Sequence, residues 1–245
     1  MWPPLLHRVA HRGYSAVAPE NTLPALAAAA LAGATMIEFD VRTTADGVPV
    51  VIHDRTVDRT TDGAGNVWDL TSAEVRGLDA GSWFSPAYAG LTVPLLAELL
   101  DLLVPAAPEL LLEIKPPATA AQVEVILAMV AERGLLARTM VQSFDPDVLR
   151  LAGEAVPGLR LGLLRFGFDP DQVTVAKELG LVCCNPMVDA VLADPATVGL
   201  LAEAGVAVMP WTANDPGQWP ALAAAGVAGL ITDRAGELAG WATSR

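Results

Sequence analysis

The stretch Met36-Ile37-Glu38-Phe39-Asp40 decides how this chain is read. It is a short run of aliphatic and aromatic residues whose two acids alternate with apolar neighbours, at the period of an extended strand. Before it, residues 23–32 are rich in Ala and Leu, with Asn21 or Thr22 placed as a helix cap and Pro24 in the first turn. Working outward, the same alternation of short apolar runs and longer helical patterns fills the chain. Strands are predicted near residues 8–11, 36–40, 110–114, 139–143, 160–164, 181–184, 206–211 and 228–231, and a helix over 123–133 stops at Gly134. Eight βα units in 245 residues have the size of a closed α/β (β/α)8 TIM barrel, with a doubly wound open sheet as the alternative. One barrel domain over residues 1–245 is expected.

One stretch interrupts the rhythm. Residues 48–52 read as an extra strand after the turn Asp46-Gly47, and residues 55–93 are polar, Gly-rich and irregular, an insertion rather than a linker. The insertion carries Trp68, Trp83, Phe84 and Tyr88. Loops this long in compact domains are commonly binding loops or lids, so it is expected to cover the barrel mouth. The other reading is that its aromatics only pin the loop to the barrel.

Side chains at the C-terminal ends of barrel strands share one mouth. At such ends stand His11-Arg12-Gly13, Glu38-Phe39-Asp40, His53-Asp54 and Glu113-Ile114-Lys115. A strand's period of two puts Glu38 with Asp40, and Glu113 with Lys115, on shared faces, while Phe39 and Ile114 turn into apolar packing. Three converging carboxylates repel one another unless they are protonated or hold a cation, and hard oxygen ligands suit Mg²⁺, Ca²⁺ or Mn²⁺ better than Zn²⁺. A divalent metal is therefore expected at Glu38, Asp40 and Glu113. With Arg12 and Lys115 counted in, the loaded site keeps one surplus positive charge, which a phosphodiester would neutralise. His11 and His53 lie beside these acids, and an imidazole can take or give a proton at neutral pH. Cleaving a phosphodiester needs one group to deprotonate the nucleophile and another to protonate the leaving alkoxide. His7, near the start of the first strand, faces the far end of the barrel and reads as structural.

Composition narrows the partners. Fifteen Lys and Arg against 28 Asp and Glu leave a net charge of −13, which argues against binding DNA, RNA or an anionic membrane by bulk charge. A hydrophobic fraction of 53% and a mean hydropathy of +0.42 exclude a disordered or collagen-like polymer. Cys183 and Cys184 are adjacent, so they make no long-range staple with each other, and a reducing compartment fits. The most apolar stretch, residues 25–37, is shorter than the roughly 20 residues that span a bilayer. Residues 1–6 lack the basic and long apolar regions of a secretory leader. A cytoplasmic protein with no membrane insertion is expected, and the sequence leaves the oligomeric state open.

Taken in order, His11-Arg12-Gly13, Ala18-Pro19-Glu20-Asn21-Thr22, Glu38-Phe39-Asp40-Val41, His53-Asp54 with Arg59-Thr60-Thr61, Glu113-Ile114-Lys115, Trp211-Thr212 and Thr232-Asp233 resemble the glycerophosphodiester phosphodiesterase family. The resemblance covers nearly the whole chain, and that family's fold is a (β/α)8 barrel. It implies metal-dependent hydrolysis of a small glycerophosphodiester to sn-glycerol 3-phosphate and an alcohol. It also implies that Glu38, Asp40 and Glu113 hold the metal, that His11 and His53 are the general acid/base pair, and that Arg12 and Lys115 hold phosphate oxygens. In such enzymes a neighbouring glycerol hydroxyl attacks phosphorus, and water then opens the resulting cyclic phosphate.

Other positions are read more plainly. Asn21 is expected to cap a helix, Arg59 to brace the insertion, and Asp233 to face the site or cap the helix that follows it. Gln142 and Trp211 end strands where they could face substrate, the indole stacking on glycerol carbon or a choline head group. The chain departs from the family pattern at Leu95 after Pro94 and at Ala97. It departs again at Cys183-Cys184-Asn185-Pro186, where a changed pocket shape would alter substrate preference. Two rival functions are a lysophospholipase D-like cleavage of lipid diesters, which needs an apolar channel, and a non-catalytic phosphodiester-binding barrel. Against the second stand His11, His53, Glu38, Asp40 and Glu113, all present.

Overall fold

The computed structural model describes residues 6–244, so nearly all of the segment 1–6 considered above for a leader lies outside the described residues. The strands are β1 (His7–Ala10), β2 (Met36–Thr43), β3 (Pro49–Val51), β4 (Glu109–Ile114), β5 (Thr139–Ser143), β6 (Arg160–Arg165), β7 (Cys183–Pro186), β8 (Ala207–Val208) and β9 (Gly229–Thr232). The helices between and after them are α1 (Leu23–Leu31), α2 (Ser72–Arg76), α3 (Leu96–Leu103), α4 (Ala120–Glu132), α5 (Pro146–Ala155), α6 (Gln172–Glu178), α7 (Val188–Ala193), α8 (Ala196–Glu203), α9 (Trp219–Ala224) and α10 (Ala235–Thr243). Eight strands pair in parallel in the order β8-β7-β6-β5-β4-β2-β1-β9, and β3 joins β2 antiparallel as a hairpin outside the ring. The last gap is bridged by backbone bonds from Ala228 N–H to Val208 O (2.8 Å) and from Ile231 N–H to Pro210 O (3.0 Å). The result is a nearly closed TIM barrel, so the open-sheet alternative falls.

Three strands depart from their predicted bounds by two or more residues, each for a local reason. β2 runs on to Thr43 because Val41, Arg42 and Thr43 pair with β3. β7 starts at Cys183 and not at residue 181, because the Leu181 N–H is bound to Ala176 O at the end of α6 (2.8 Å). β8 stops at Val208 and not at residue 211, since Pro210 has no N–H to give to the ladder. The helix over 123–133 begins three residues earlier, at Ala120, where Thr119 and Gln122 form a reciprocal capping box.

The barrel interior explains where the site lies. Val9, Met36, Leu111, Met140, Cys183, Ala207, Met209 and Ile231 form a buried plug contributed strand by strand. Two residues further along, on the same face, come His11, Glu38, Glu113, Gln142, Asn185, Trp211 and Asp233. An apolar layer thus gives way, in one step along the strands, to a polar one at the mouth. On β6 the same inward face holds Gly162 and then Leu164.

The insertion has its own small core, where Val57, Val67, Val75, Ala80 and Val93 pack with Val50 and Ile52. Its aromatics do not roof the mouth. Phe84 packs edge-on against both Trp83 (5.7 Å) and Tyr88 (5.6 Å), and the Tyr88 hydroxyl donates to Val17 O (2.8 Å). Trp68 lines a separate cavity of about 210 Å³ beside Arg42 and Thr119. Tyr88 thus pins the insertion to the β1 to α1 loop, with Phe84 and then Trp83 packed behind it.

Gly13 is the tightest point of the β1 to α1 turn. Its φ is +80°, and a Cβ there would lie 2.6 Å from the carbonyl carbon of Ala25 and 2.8 Å from its oxygen. Gly13→Ala therefore combines backbone strain with a clash against main chain and should cost about 2–3 kcal/mol. Urea unfolding of the variant checks this, and an unchanged midpoint would contradict the turn geometry.

Candidate active site

The mouth is built from the ends of β1, β2, β4 and β5 and from the loop after β3. Arg12 has φ 55°, in the left-handed region, which turns its backbone N–H onto Glu38 Oε2 (2.7 Å). Its side chain reaches Glu20 Oε1 (2.8 Å) and stands 3.5 Å from Asp40 Oδ2. Lys115, also buried, places Nζ 2.9 Å from Asp40 Oδ1 and 2.5 Å from Glu113 Oε1. Glu38, Asp40 and Glu113 are all buried, and each brings one oxygen to within 4.8 Å of the others. Sequence reasoning had grouped these five residues, and the fold brings them together.

Their electrostatics are uneven. Burial, with repulsion from Asp40 and Glu113, pushes the Glu38 carboxyl well above its usual range. Burial and Asp40 push Glu113 up to about 7. On Asp40 burial acts the same way, but Lys115 and Arg12 overcome it and hold that carboxyl well below its usual range. For Lys115 too burial opposes charge, and Asp40 and Glu113 outweigh it. Even with Arg12 and Lys115 beside them, Glu38 and Glu113 hold a proton more readily than ordinary carboxyls.

Both histidines are held by an aspartate at Nδ1. His53 Nδ1 lies 2.6 Å from Asp54 Oδ1, and Arg59 Nε donates to the other oxygen of Asp54 (2.6 Å). His11 Nδ1 lies 2.7 Å from Asp233 Oδ1, and Asp233 also accepts from Ser15 Oγ (3.0 Å) and Asn214 Nδ2 (2.5 Å). Despite burial, these donors draw Asp54 and Asp233 each down to about 2, so both aspartates are charged at neutral pH. Burial lowers the pKa of His53 below its ordinary value. With Nδ1 engaged by an aspartate, Nε2 is the other ring nitrogen of each histidine that can give or take a hydrogen bond. His7 is buried at the opposite end of β1, as expected.

Several roles differ from their sequence reading. Asn21 does not cap α1: its Nδ2 donates to Asp40 Oδ2 (2.7 Å) and its Oδ1 accepts the Asp40 N–H (3.1 Å), so it is a brace for the acid. Thr22, at the cap position, makes no capping bond and donates instead to Pro19 O (2.6 Å). Asp233 serves His11 and does not cap α10, whose cap position is Arg234. Glu20 was not singled out from the sequence, yet its carboxylate joins Arg12 to Arg59 (both 2.8 Å). Arg59 braces the insertion as expected, through Glu20 and Asp54.

Gln142 is buried with its Nε2 3.5 Å from Glu38 Oε1, so it meets an acid of the cluster. Trp211 borders the mouth and forms an aromatic group with Phe144 and Phe166, with centroids 5.0–5.9 Å apart. The mouth's aromatic wall therefore comes from the loops after β5, β6 and β8. Cys183 and Cys184 are free and buried, and burial pushes the Cys184 thiol up to about 11.

Two spaces meet at His11 and Arg12. One, of about 30 Å³, is lined by His11, Arg12, Glu38, His53, Glu113, Lys115, Gln142 and Trp211. The other, a polar cleft of about 400 Å³, is lined by His11, Arg12, Ser15, Glu20, Asn214, Asp233 and Arg234. No helix among the described residues is long and apolar enough to cross a membrane.

A TIM barrel that gathers acids, paired cations and oriented histidines at the C-terminal ends of its strands is the class of barrel enzyme that acts on an anionic ester. Residues 11–237 match the Glycerophosphoryl diester phosphodiesterase family, and the chain belongs to that family. It is 35% identical over 227 residues to the glycerophosphodiester phosphodiesterase of Caldanaerobacter subterraneus subsp. tengcongensis, a match covering 92% of this chain and 93% of that one. Among solved structures, it is similar to the glycerophosphodiester phosphodiesterase of Agrobacterium tumefaciens str. C58, with a TM-score of 0.85, 30% identity, and 96% of this chain and 100% of that one covered. It is also similar to an Oleispira antarctica phosphodiesterase in complex with the product sn-glycerol-3-phosphate, with a TM-score of 0.88, 28% identity, and 100% and 98% covered.

Proposed function

We propose that the protein hydrolyses small glycerophosphodiesters to sn-glycerol 3-phosphate and an alcohol, using a divalent metal held by Glu38, Asp40 and Glu113 and proton transfer by His11 and His53. The observation that carries this reading is one arrangement: two Asp-held histidines beside a buried acid triad, with Arg12 and Lys115 against the same acids. The donor set fits a hard divalent ion. Asp40 Oδ1 and Glu113 Oε1 are buried and, although Lys115 Nζ is near both, neither accepts a well-directed hydrogen bond. Oxygen ligands alone favour Mg²⁺, Ca²⁺ or Mn²⁺. The 30 Å³ space suits an ion or a water, and the adjoining polar cleft has room for the diester.

When bound, the ion supplies Lewis-acid stabilisation of charge on the phosphoryl oxygens. The chain's own groups do the rest. Arg12 and Lys115 hold the phosphate oxygens and offset their charge. One histidine takes the proton of a glycerol hydroxyl as its oxygen attacks phosphorus. The other gives a proton to the departing alkoxide as its bond to phosphorus breaks. Water then attacks the cyclic phosphate, the two histidines exchange roles, and sn-glycerol 3-phosphate is left. Asp54 and Asp233 keep each ring in one tautomer and stabilise the imidazolium formed in turn. The rival reading, cleavage of a lipid diester, needs an apolar channel, and Trp83, Phe84 and Tyr88 of the insertion do not supply one, since Phe84 packs edge-on against the other two and Tyr88 is tied to the β1 to α1 loop.

The test is release of sn-glycerol 3-phosphate from glycerophosphocholine and glycerophosphoethanolamine by protein stripped with EDTA and resupplied with Mg²⁺, Ca²⁺ or Mn²⁺. Loss of turnover on stripping and recovery with one of these ions is expected. Undiminished turnover after exhaustive chelation would overturn the metal reading, and silence on every diester would overturn the activity.

A further inference from the structure

We propose that Cys183, Asn185 and Gln142 form a one-way hydrogen-bond relay that fixes the side-chain amide of Gln142 with its NH₂ group toward Glu38, making Cys183 and Asn185 positioning residues for an acid on the far side of the barrel. The proposal rests on the reading of Glu38 as a metal ligand. The relay has three links, all buried. The Cys183 thiol donates to Asn185 Oδ1 (2.8 Å), Asn185 Nδ2 donates to Gln142 Oε1 (2.7 Å), and Gln142 Nε2 stands 3.5 Å from Glu38 Oε1.

Direction is what gives the chain a function. An amide can present either its oxygen or its NH₂, and a carboxylate ligand accepts only from the latter. Cys183 sets the choice at Asn185 through the observed contact, in which its thiol, kept protonated by burial, donates to Oδ1. With its oxygen taken, Asn185 must offer NH₂ to Gln142. Gln142 in turn must offer its own NH₂ to Glu38. Reversing either amide would set two carbonyl oxygens, or an oxygen and a carboxylate, face to face in a buried space.

The strand register makes the reach possible. Gln142 is on β5 and Asn185 on β7, with β6 between them, and the paired positions are Gln142 with Gly162 and Gly162 with Cys183. A Cβ at Gly162 would sit 3.4 Å from Asn185 Nδ2, so alanine would touch the link and any longer side chain would occupy its path. The glycine on β6 leaves a lane across which β7 speaks to β5. Trp211 Nε1 donates to Asn185 O (2.8 Å) and fixes the backbone at the far end of that lane.

Asn185→Leu keeps roughly the same shape and removes the donor to Gln142 Oε1, so nothing on β7 holds the amide of Gln142 with its NH₂ toward Glu38. Partners behind a metal ligand typically change metal affinity by about 10- to 100-fold when lost. Calorimetric titration of stripped protein with Mn²⁺ should show a weakening in that range for Asn185→Leu. Cys183→Ser, which retains a donor, should stay within about twofold of the parent, and Cys183→Ala should fall between the two. A second readout does not involve metal: the side-chain amide resonances of Gln142 in ¹⁵N-glutamine-labelled, metal-free protein should shift in Asn185→Leu and hold in Cys183→Ser. Unmoved Gln142 resonances in Asn185→Leu overturn the relay. Moved resonances with no Mn²⁺ binding by the parent protein uphold the relay and overturn the metal reading instead. Moved resonances with parent-like Mn²⁺ affinity in Asn185→Leu overturn the positioning role.

Discussion

Replacing His53 with alanine is expected to lower kcat/KM for glycerophosphocholine about 10²- to 10⁴-fold with little effect on stability. The size follows from removing one of the two proton-transfer groups in a reaction that must both activate a hydroxyl and protonate an alkoxide. The small structural effect follows from the surroundings. The His53 side chain is 31% exposed, so its loss opens no sealed cavity, and Asp54 keeps its bonds to Arg59 and is not left as a bare buried charge. Steady-state kinetics together with thermal unfolding separate the two effects. Wild-type turnover in a folded His53→Ala protein would remove His53 from the mechanism.

The second large effect is expected of Asp40→Asn: loss of at least about 100-fold in divalent-ion affinity, with turnover falling alongside. Asp40 is the acid that Lys115 and Arg12 hold most firmly ionised, so it supplies charge that Glu38 and Glu113 give up more readily. Asparagine keeps the volume and can keep the bonds to Asn21, which isolates charge as the variable. Stability should fall only modestly, by about 1–3 kcal/mol, because the weakened pairing with Lys115 is partly offset by relief of repulsion among the remaining acids. Mn²⁺ titration of the stripped variant measures the first effect. An affinity equal to the parent's would remove Asp40 from the ligand set.

The carboxylates were legible in the sequence because their strands obey a period of two up to the last residue. Glu38 and Asp40, and Glu113 and Lys115, sit where alternation put them. Asn185 obeys the same rule from Cys183 but lies one residue past the expected strand over 181–184, which in the fold starts two residues later because the Leu181 N–H closes the end of α6, a bond that no propensity reveals. Asn21 was misread for another reason: the residue types that cap helices are also those that brace acids, and only the left-handed turn at φ 58° shows which it does. Asp233 could have been assigned to His11 once the barrel was assumed to close, because closure makes β9 the neighbour of β1. The aromatic insertion was the least readable part, as side chains at irregular positions carry no periodicity from which to infer a face.

The pairing of His11 with Asp233 joins residues 222 positions apart, across the seam where β9 meets β1. During synthesis, therefore, the first histidine leaves the ribosome long before its aspartate does. Until the ninth strand is made and docked, that ring has nothing to set its tautomer, whatever the rest of the barrel has achieved. A nascent chain is in this sense chemically silent, and the protein's competence arrives late and all at once, with the closing of its last seam.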